Sequence, residues 1–354
     1  MRGFIFVIGL CFFVACLNRD TKTSGTYRSL LPAHIKDSVY QDSDNLYSSQ
    51  KVQLGRYLFY DTRLSGNQTK SCASCHAPDF SFTDHYKRSA GAYGDLTAHN
   101  APPLINLVLN RYLTYTDSSL HLPEQQILNP LFHTQPIELG WTGQEEQILS
   151  RLRKDAWYAR QFRIAFPQVQ DAISKQTVIY ALASFVKSII SFNAPFDRFL
   201  ATGDSALLTT EVRNGYRLFL SDSLACYRCH GGSNFNNPNE NTIPYFNTGF
   251  FQDTVLHKGL MQHTGNASDA GKYRVPTLRN LAFTAPYLHD GSAESLEQVV
   301  QMYQQGGRSV VGAKHPFING FRLNSQQRTE LLQFLLSLSD STVLTHPLYS
   351  NPFQ

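Results

Sequence analysis

Apolar side chains recur at helical spacing in several stretches of the chain. The clearest is 176–192, where Val178, Ala181, Leu182, Phe185, Ile189 and Phe192 fall on one face. Asn193, Ala194 and Pro195 follow and predict its end, because the residue before a proline is pushed out of helical geometry. Residues 144–154 alternate acidic, apolar and basic side chains at the same period. Two more helices are predicted over 295–304 and 325–338, the second with Ser325 as its N-cap. Strand-like alternation is sparse, and loops rich in Gly, Asn and Pro, such as 231–249, separate the helices. The expected fold class is mainly α.

One helical pattern occurs twice. Residues 55–61 read Gly-Arg-Tyr-Leu-Phe-Tyr-Asp, and 215–221 read Gly-Tyr-Arg-Leu-Phe-Leu-Ser. Each amphipathic stretch runs into a cysteine motif, Cys72-Ala73-Ser74-Cys75-His76 in the first case and Cys226-Tyr227-Arg228-Cys229-His230 in the second. C-x-x-C-H is the attachment sequence of a c-type haem. The two thiols form thioethers with the porphyrin, and the histidine gives the iron its proximal nitrogen. The rival readings are a redox dithiol or half of a zinc site. Neither needs the histidines, and the two pairs lie in separate halves of the chain. The expectation is two cytochrome c-like domains of common design, each with one covalently bound c-type haem. The first spans 49–200, the second 201–342, and a tail covers 343–354.

The 354 residues are 42% hydrophobic and 16% charged, as in a folded soluble protein. The net charge of +4 is spread along the chain, which argues only weakly for an acidic partner and not for nucleic acid. Residues 1–16 read as an export signal, with Arg2 ahead of a short apolar run over 4–14. Phe13-Val14-Ala15-Cys16 looks like a bacterial lipobox, so Cys16 is the expected lipidation site. The apolar run is too short to remain as a spanning helix. Cleavage would remove Cys11 and leave no cysteine for a disulfide. The expected location is therefore exported, periplasm-facing and lipid-anchored to a bacterial membrane, which agrees with haem attachment outside the cytoplasm. Residues 17–48 are polar and read as a tether.

Further motifs accompany the cysteines. Phe82-Thr83-Asp84, Asn100-Ala101-Pro102, Asn129-Pro130 and Pro136-Ile137-Glu138-Leu139-Gly140 follow the first. Gly231-Gly232, Pro276-Thr277-Leu278-Arg279-Asn280 and Ala285-Pro286-Tyr287-Leu288-His289-Asp290-Gly291 follow the second. In this order, over roughly 50–340, they resemble the bacterial di-haem cytochrome c peroxidases and their MauG relatives. The resemblance implies an all-α fold in which peroxide reacts at the N-terminal haem and the C-terminal haem passes electrons to it. It also implies a calcium ion between the domains, bound by the Asn100 side chain and the carbonyls of Thr284 and Pro286.

His76 and His230 are the expected proximal ligands. Peroxidases that need reductive activation carry a distal histidine eight residues before the Asn-Ala-Pro asparagine. Here that position is Ala92, so the first iron is expected to lack a protein distal ligand. His85 or His99 closing the site is the alternative. Glu138 matches the family's catalytic glutamate, a carboxylate able to take and return the peroxide proton. Gln126 and Pro130 match its pocket neighbours. Two residues inserted near His133 imply an altered loop, and His133 is either a second polar group there or a surface histidine. At the second haem the sixth ligand falls on Tyr303, with Met302 as the alternative. Neighbours on a helix point about 100° apart, so only one can face the iron. The tryptophan that many members place between the haems is replaced by Thr116. Its neighbour Tyr115 is a candidate electron relay, while Trp141 and Trp157 do not match. His289 reads as a structural residue at the domain junction.

The expected activity is reduction of hydrogen peroxide to water with electrons from a small cytochrome c or a cupredoxin. The alternatives are a MauG-like enzyme that oxidises residues of a partner protein, and a non-catalytic di-haem electron carrier. Homodimerisation stays open, and the lipid is the only expected membrane contact.

Overall fold

A computed structural model describes residues 26–237, 241–251, 258–307 and 312–354. The expected signal sequence, Cys11 and Cys16 lie outside the described residues. Among the described residues, helices dominate. In chain order they are α1 (Ser49–Tyr60), α2 (Pro123–Gln126), α3 (Leu128–Phe132), α4 (Glu145–Arg153), α5 (Ala156–Ala165), α6 (Lys175–Ser188), α7 (Pro195–Thr202), α8 (Thr210–Phe219), α9 (Met261–Thr264), α10 (Leu296–Gln305) and α11 (Ser325–Ser337). One short antiparallel pair, β1 (Tyr245–Phe246) and β2 (Tyr273–Arg274), sets Tyr245 opposite Arg274.

Two cores are built on the same plan. In the first, α1 crosses α6, burying Leu54, Leu58 and Phe59 against Ala181 and Phe185. In the second, α8 crosses α11, burying Val212 and Phe219 against Leu331 and Phe334. Each crossing pivots on a glycine. A Cβ on Gly55 would stand 1.9 Å from the Ala181 carbonyl oxygen, and one on Gly215 would stand 1.9 Å from that of Glu330. The rings beside the pivots also repeat. Phe59 lies 5.1 Å from Phe185 and 6.1 Å from Phe82. Phe219 lies 5.1 Å from Phe334 and 6.0 Å from Phe235. The sequence repeat is therefore a repeat of packing.

Element ends follow local chemistry. Ser48, Ser174, Thr209 and Ser295 cap α1, α6, α8 and α10 by accepting backbone N–H bonds. Ser325 does not cap α11. Asn324 does, accepting from the Gln327 N–H at 2.8 Å while the Gln327 side chain bonds back to the Asn324 N–H at 3.0 Å. Helix α6 stops at Ser188, short of the expected 192. Beyond it the Ile190 and Ser191 N–H groups are taken by the Tyr349 hydroxyl and the Asn106 side chain.

Three expected boundaries move. Within the expected tether, Tyr27, Leu31 and Ile35 recur every four residues and are buried against Val108, Leu109 and Phe192. Asn45, also in that stretch, is fully buried and donates to Glu124 at 2.6 Å. The tail is no appendage either, since Val343 and Tyr349 belong to the first core. The Tyr349 hydroxyl donates to the Ser188 carbonyl at 3.0 Å. Phe196 on α7 packs on Tyr216 and Phe334, so the second core begins before residue 201.

Buried amides join the halves. Asn280 donates to Ser81 and Ser191 at 2.7 and 3.0 Å, and Asn106 donates to Asn234 at 3.3 Å. The Asn100 N–H donates to the His289 carbonyl at 2.8 Å.

Candidate active site

Both cysteine motifs fold as the same single 3-10 turn, Cys72–Ser74 and Cys226–Arg228. The Cys72 carbonyl accepts from the Cys75 and His76 N–H groups at 3.2 and 3.0 Å, and the Cys226 carbonyl from Cys229 and His230 at 3.2 and 2.9 Å. This turn brings both thiols and the following imidazole to one side. All four thiols are free. Burial pushes those of Cys72 and Cys226 up to about 12, and those of Cys75 and Cys229 up to about 11. A redox dithiol needs the opposite shift, so these pairs are unlike thioredoxin-type sites.

The two histidines are oriented alike. His76 Nδ1 lies 2.8 Å from the Phe82 carbonyl oxygen, and His230 Nδ1 lies 3.0 Å from that of Phe235. Donation from Nδ1 leaves Nε2 with a lone pair, the arrangement used by metal-binding imidazoles. Burial lowers the pKa of both rings, that of His230 to about 4, which keeps them neutral.

Cys72, Cys75 and His76 open into a cavity of about 590 Å³. Phe59, Leu104, Leu107, Leu182 and Val186 give it an apolar wall. Its volume is that of a cofactor pocket. Gln126, Pro130 and Glu138 line the same cavity, so the structure brings all three predicted pocket residues together with the first motif. The altered loop carries Glu138 there by folding back on α3, with Leu139 N–H bonded to Pro130 at 2.9 Å and Trp141 N–H to Leu131 at 2.8 Å. The Glu138 carbonyl accepts from Ala92 N–H at 2.7 Å. A Cβ on Gly91 would meet the Ile137 carbonyl at 2.0 Å, so the glycine permits that approach. Burial raises the Glu138 pKa.

Thiols, imidazole, volume and apolar wall fit a covalently held haem. At the second motif the Tyr303 phenol, on α10, lies within electrostatic reach of Cys229 and Cys226, and its ring is 4.8 Å from Phe250. Met302 sits one residue back on the helix and is half-buried.

Comparison with known proteins identifies the family. A family model for di-haem cytochrome c peroxidases matches residues 49–205. A cytochrome-c peroxidase, IdrP1, of Pseudomonas sp. (strain SCT) is 30% identical over 338 residues, covering 86% of this chain and 84% of that protein. The chain belongs to the di-haem cytochrome c peroxidase family. MauG of Methylorubrum extorquens, a methylamine utilization protein, is 29% identical over 316 residues, covering 88% and 84%. A solved MauG-like protein associated with microbial copper homeostasis superposes with a TM-score of 0.86 at 36% identity, covering 92% of this chain and 99% of that one. Peroxidase and MauG names thus occur at similar identity, and family membership implies two c-type haems.

The remaining predicted residues can be placed within this di-haem peroxidase fold. Ala92 is buried next to the cavity wall, tied through its N–H to the Glu138 carbonyl. His85 is outside the cavity, packed on Phe80 with Nδ1 3.2 Å from the Ala285 carbonyl. His99 and His133 both line it. Asn100 is buried, and its amide donates to the Tyr86 carbonyl at 2.8 Å. Its backbone bond to His289 puts it beside the 284–290 segment that holds Thr284 and Pro286. No cluster of three or more His, Cys, Asp or Glu suited to a metal occurs among the described residues.

Tyr115 and Thr116 line the cavity at its interdomain end. Tyr115 lies 5.8 Å from His99 and 6.4 Å from His289, and His289 stacks on Tyr273 at 3.5 Å. Trp141 is instead a core residue bonded to the Leu64 carbonyl, and Trp157 is a surface residue packed on Tyr57. Arg274 also lines the cavity, and sequence reasoning missed it. Its only signal was its place two residues before the Pro276 motif.

Proposed function

We propose that this chain reduces hydrogen peroxide in the pocket shared by Cys72, Cys75, His76 and Glu138. One observation carries the reading: a buried carboxylate shares a cavity with a haem-attachment turn, and alanine occupies position 92. Haem bound at the two turns would supply the electron transfer to the peroxide bond. Cys72 and Cys75 would hold one haem covalently and Cys226 and Cys229 the other, with His76 and His230 each offering a ring nitrogen to the metal. Glu138 takes a proton from one peroxide oxygen and delivers it to the other as the bond breaks. Gln126 and Pro130 shape the space above it. Two electrons and two protons convert one peroxide to two waters, with a small cytochrome or cupredoxin as donor. Tyr303 would be a ligand to the second haem, Tyr115 would serve as a stepping stone, and Asn100, Thr284 and Pro286 would hold the calcium. Export with a lipid on Cys16 completes the reading, and no described helix is long and apolar enough to cross a membrane.

The test is Glu138→Gln in the holoprotein. Peroxide turnover with a reduced cytochrome should fall by about 10²–10⁴-fold, with two haems per chain retained. Unchanged turnover would remove Glu138 from the mechanism.

A second reading, oxidation of residues on a partner protein, is favoured by Tyr303 near Cys226 and Cys229 and by the MauG relatives. Peroxide-driven oxidation of a protein in the absence of any reduced cytochrome would support it over the first.

A further inference from the structure

Two arginines are buried in the second half, and the fold treats them differently. Arg279 grips Asp197 through Nη1 and Nη2 at 3.0 and 2.9 Å, and its Nε donates to the Ser233 carbonyl at 2.8 Å. That guanidinium is answered on every side. Arg274 is 6% exposed, yet only Nη1 has an identified acceptor, the Val275 carbonyl at 3.1 Å. Its Nε is buried with no acceptor. The ionisable groups acting on it are the phenols of Tyr245 and Tyr115, the latter 5.8 Å away beneath the guanidinium. No carboxylate among the described residues pairs with it. Two acids line the same cavity, and neither feels Arg274. Asp117 is engaged by Ser119 and His263, and Glu138 responds to burial alone.

Arginine stays charged at any working pH, and a buried charge without a counter-ion is strongly disfavoured. The backbone nevertheless fixes this one in place. Arg274 ends the strand pair opposite Tyr245, and its N–H donates to the Tyr115 carbonyl at 3.0 Å. It therefore reaches from the second half into the wall of the cavity that Cys72, Cys75 and His76 open into. Its other side borders a smaller cavity of about 200 Å³ next to Gly232, Ser233 and Asn234.

We propose that Arg274 is the counter-ion of a propionate on the haem held by Cys72 and Cys75, a salt bridge made across the domain boundary. This rests on the di-haem reading. A planar guanidinium fork matches a carboxylate with two parallel hydrogen bonds, which would answer the open Nε. A positive charge there disfavours the ferric state, so Arg274 holds the first haem at a higher potential than its ligands alone would set. Arg274 is a positioning residue, not a catalytic one.

The experiment uses the holoprotein with Arg274→Gln and Arg274→Lys, followed by spectroelectrochemical titration and resonance Raman of the propionate bending bands. In R274Q the first haem should move to lower potential with shifted propionate bands, while the His230 haem stays unchanged. R274K keeps the charge but loses the fork, so its potential should stay nearer wild type while the bands shift. Unchanged potential and bands of the first haem in R274Q, or a shift confined to the His230 haem, would overturn the assignment. If R274Q does not load haem, unchanged bands in R274K would overturn it alone. Wild-type protein without two haems per chain would instead refute the di-haem reading itself.

Discussion

Replacing Gly55 or Gly215 by alanine separates helix propensity from helix packing. In an exposed helix interior, Gly→Ala stabilises by about 1 kcal/mol. Here each new methyl would stand 1.9 Å from a carbonyl oxygen of the crossing helix, with the Cβ of Phe185 or Phe334 at 2.9 or 2.8 Å on its other side. Neither obstacle is a flexible side-chain end. To restore ordinary contact the helices would have to part by roughly 1.5 Å, loosening the aromatic rings stacked beside the crossing. Overpacking of this kind costs about 1–3 kcal/mol, and a backbone clash belongs at the upper end. Set against the propensity gain, G55A and G215A should each destabilise by about 2 kcal/mol. For cores of this size that lowers Tm by about 4–8 °C. The two sites lie in separate cores, so the double variant should show the sum to within about 0.5 kcal/mol. Thermal and urea unfolding of the holoproteins measure this directly. A neutral or stabilised G55A would refute the close crossing, and with it the claim that the sequence repeat is a repeat of packing.

Burial holds the Glu138 carboxyl above the usual glutamate value of 4.5. As the proton acceptor it must be ionised, so kcat/KM should fall as pH drops through a value above 4.5, and E138Q should lose that limb of the pH–rate profile. The same raised pKa means the ionised group opposes folding at neutral pH, so E138Q should melt no lower than wild type at pH 7. Lys187 and Glu124 form a buried pair at 2.6 Å. E124Q would strand the ammonium and should cost about 3–5 kcal/mol in urea unfolding, with Glu124→Leu plus Lys187→Met recovering most of it. At the second site, Tyr303→Phe should alter the ferric electron paramagnetic resonance signal of one haem and Met302→Leu should not; the reverse result would exchange the two ligands.

The chemistry legible in the sequence was the chemistry that needs contiguous residues. A C-x-x-C-H turn places thiols and imidazole on one side by local geometry, so its five residues announce it wherever the chain goes. The glycine pivots were visible because a duplicated unit repeats its packing demands. Glu138, Gln126 and Pro130 were harder. They come together through backbone bonds between 130–131 and 139–141, and only family likeness pointed to that. The rest depended on long-range contact. Tyr27, Leu31 and Ile35 are three apolar residues in a polar stretch, and nothing local shows that Val108 and Phe192 wait to cover them. Asn324 and Ser325 are both good caps standing side by side, and only the side chain of Gln327 decides between them. Arg274 was invisible because an unpaired buried charge is a property of surroundings, not of a motif.

Two nearly identical turns with unequal neighbours explain how one duplicated unit can serve two purposes. The helix crossings, the ring stacks and the imidazole-to-carbonyl bonds match between the halves. What differs is carried on the segments added to each frame. At the first turn, the loop returning from α3 delivers a carboxylate to a cavity that His99 and His133 also line. Near the second, α10 delivers a phenol to the thiols. A rigid, repeated scaffold therefore fixes where each haem would sit, and the variable segments decide which face would be open. On the proposed reading, moving reactivity from one half to the other would need no change in either crossing, only an exchange of what the loops present.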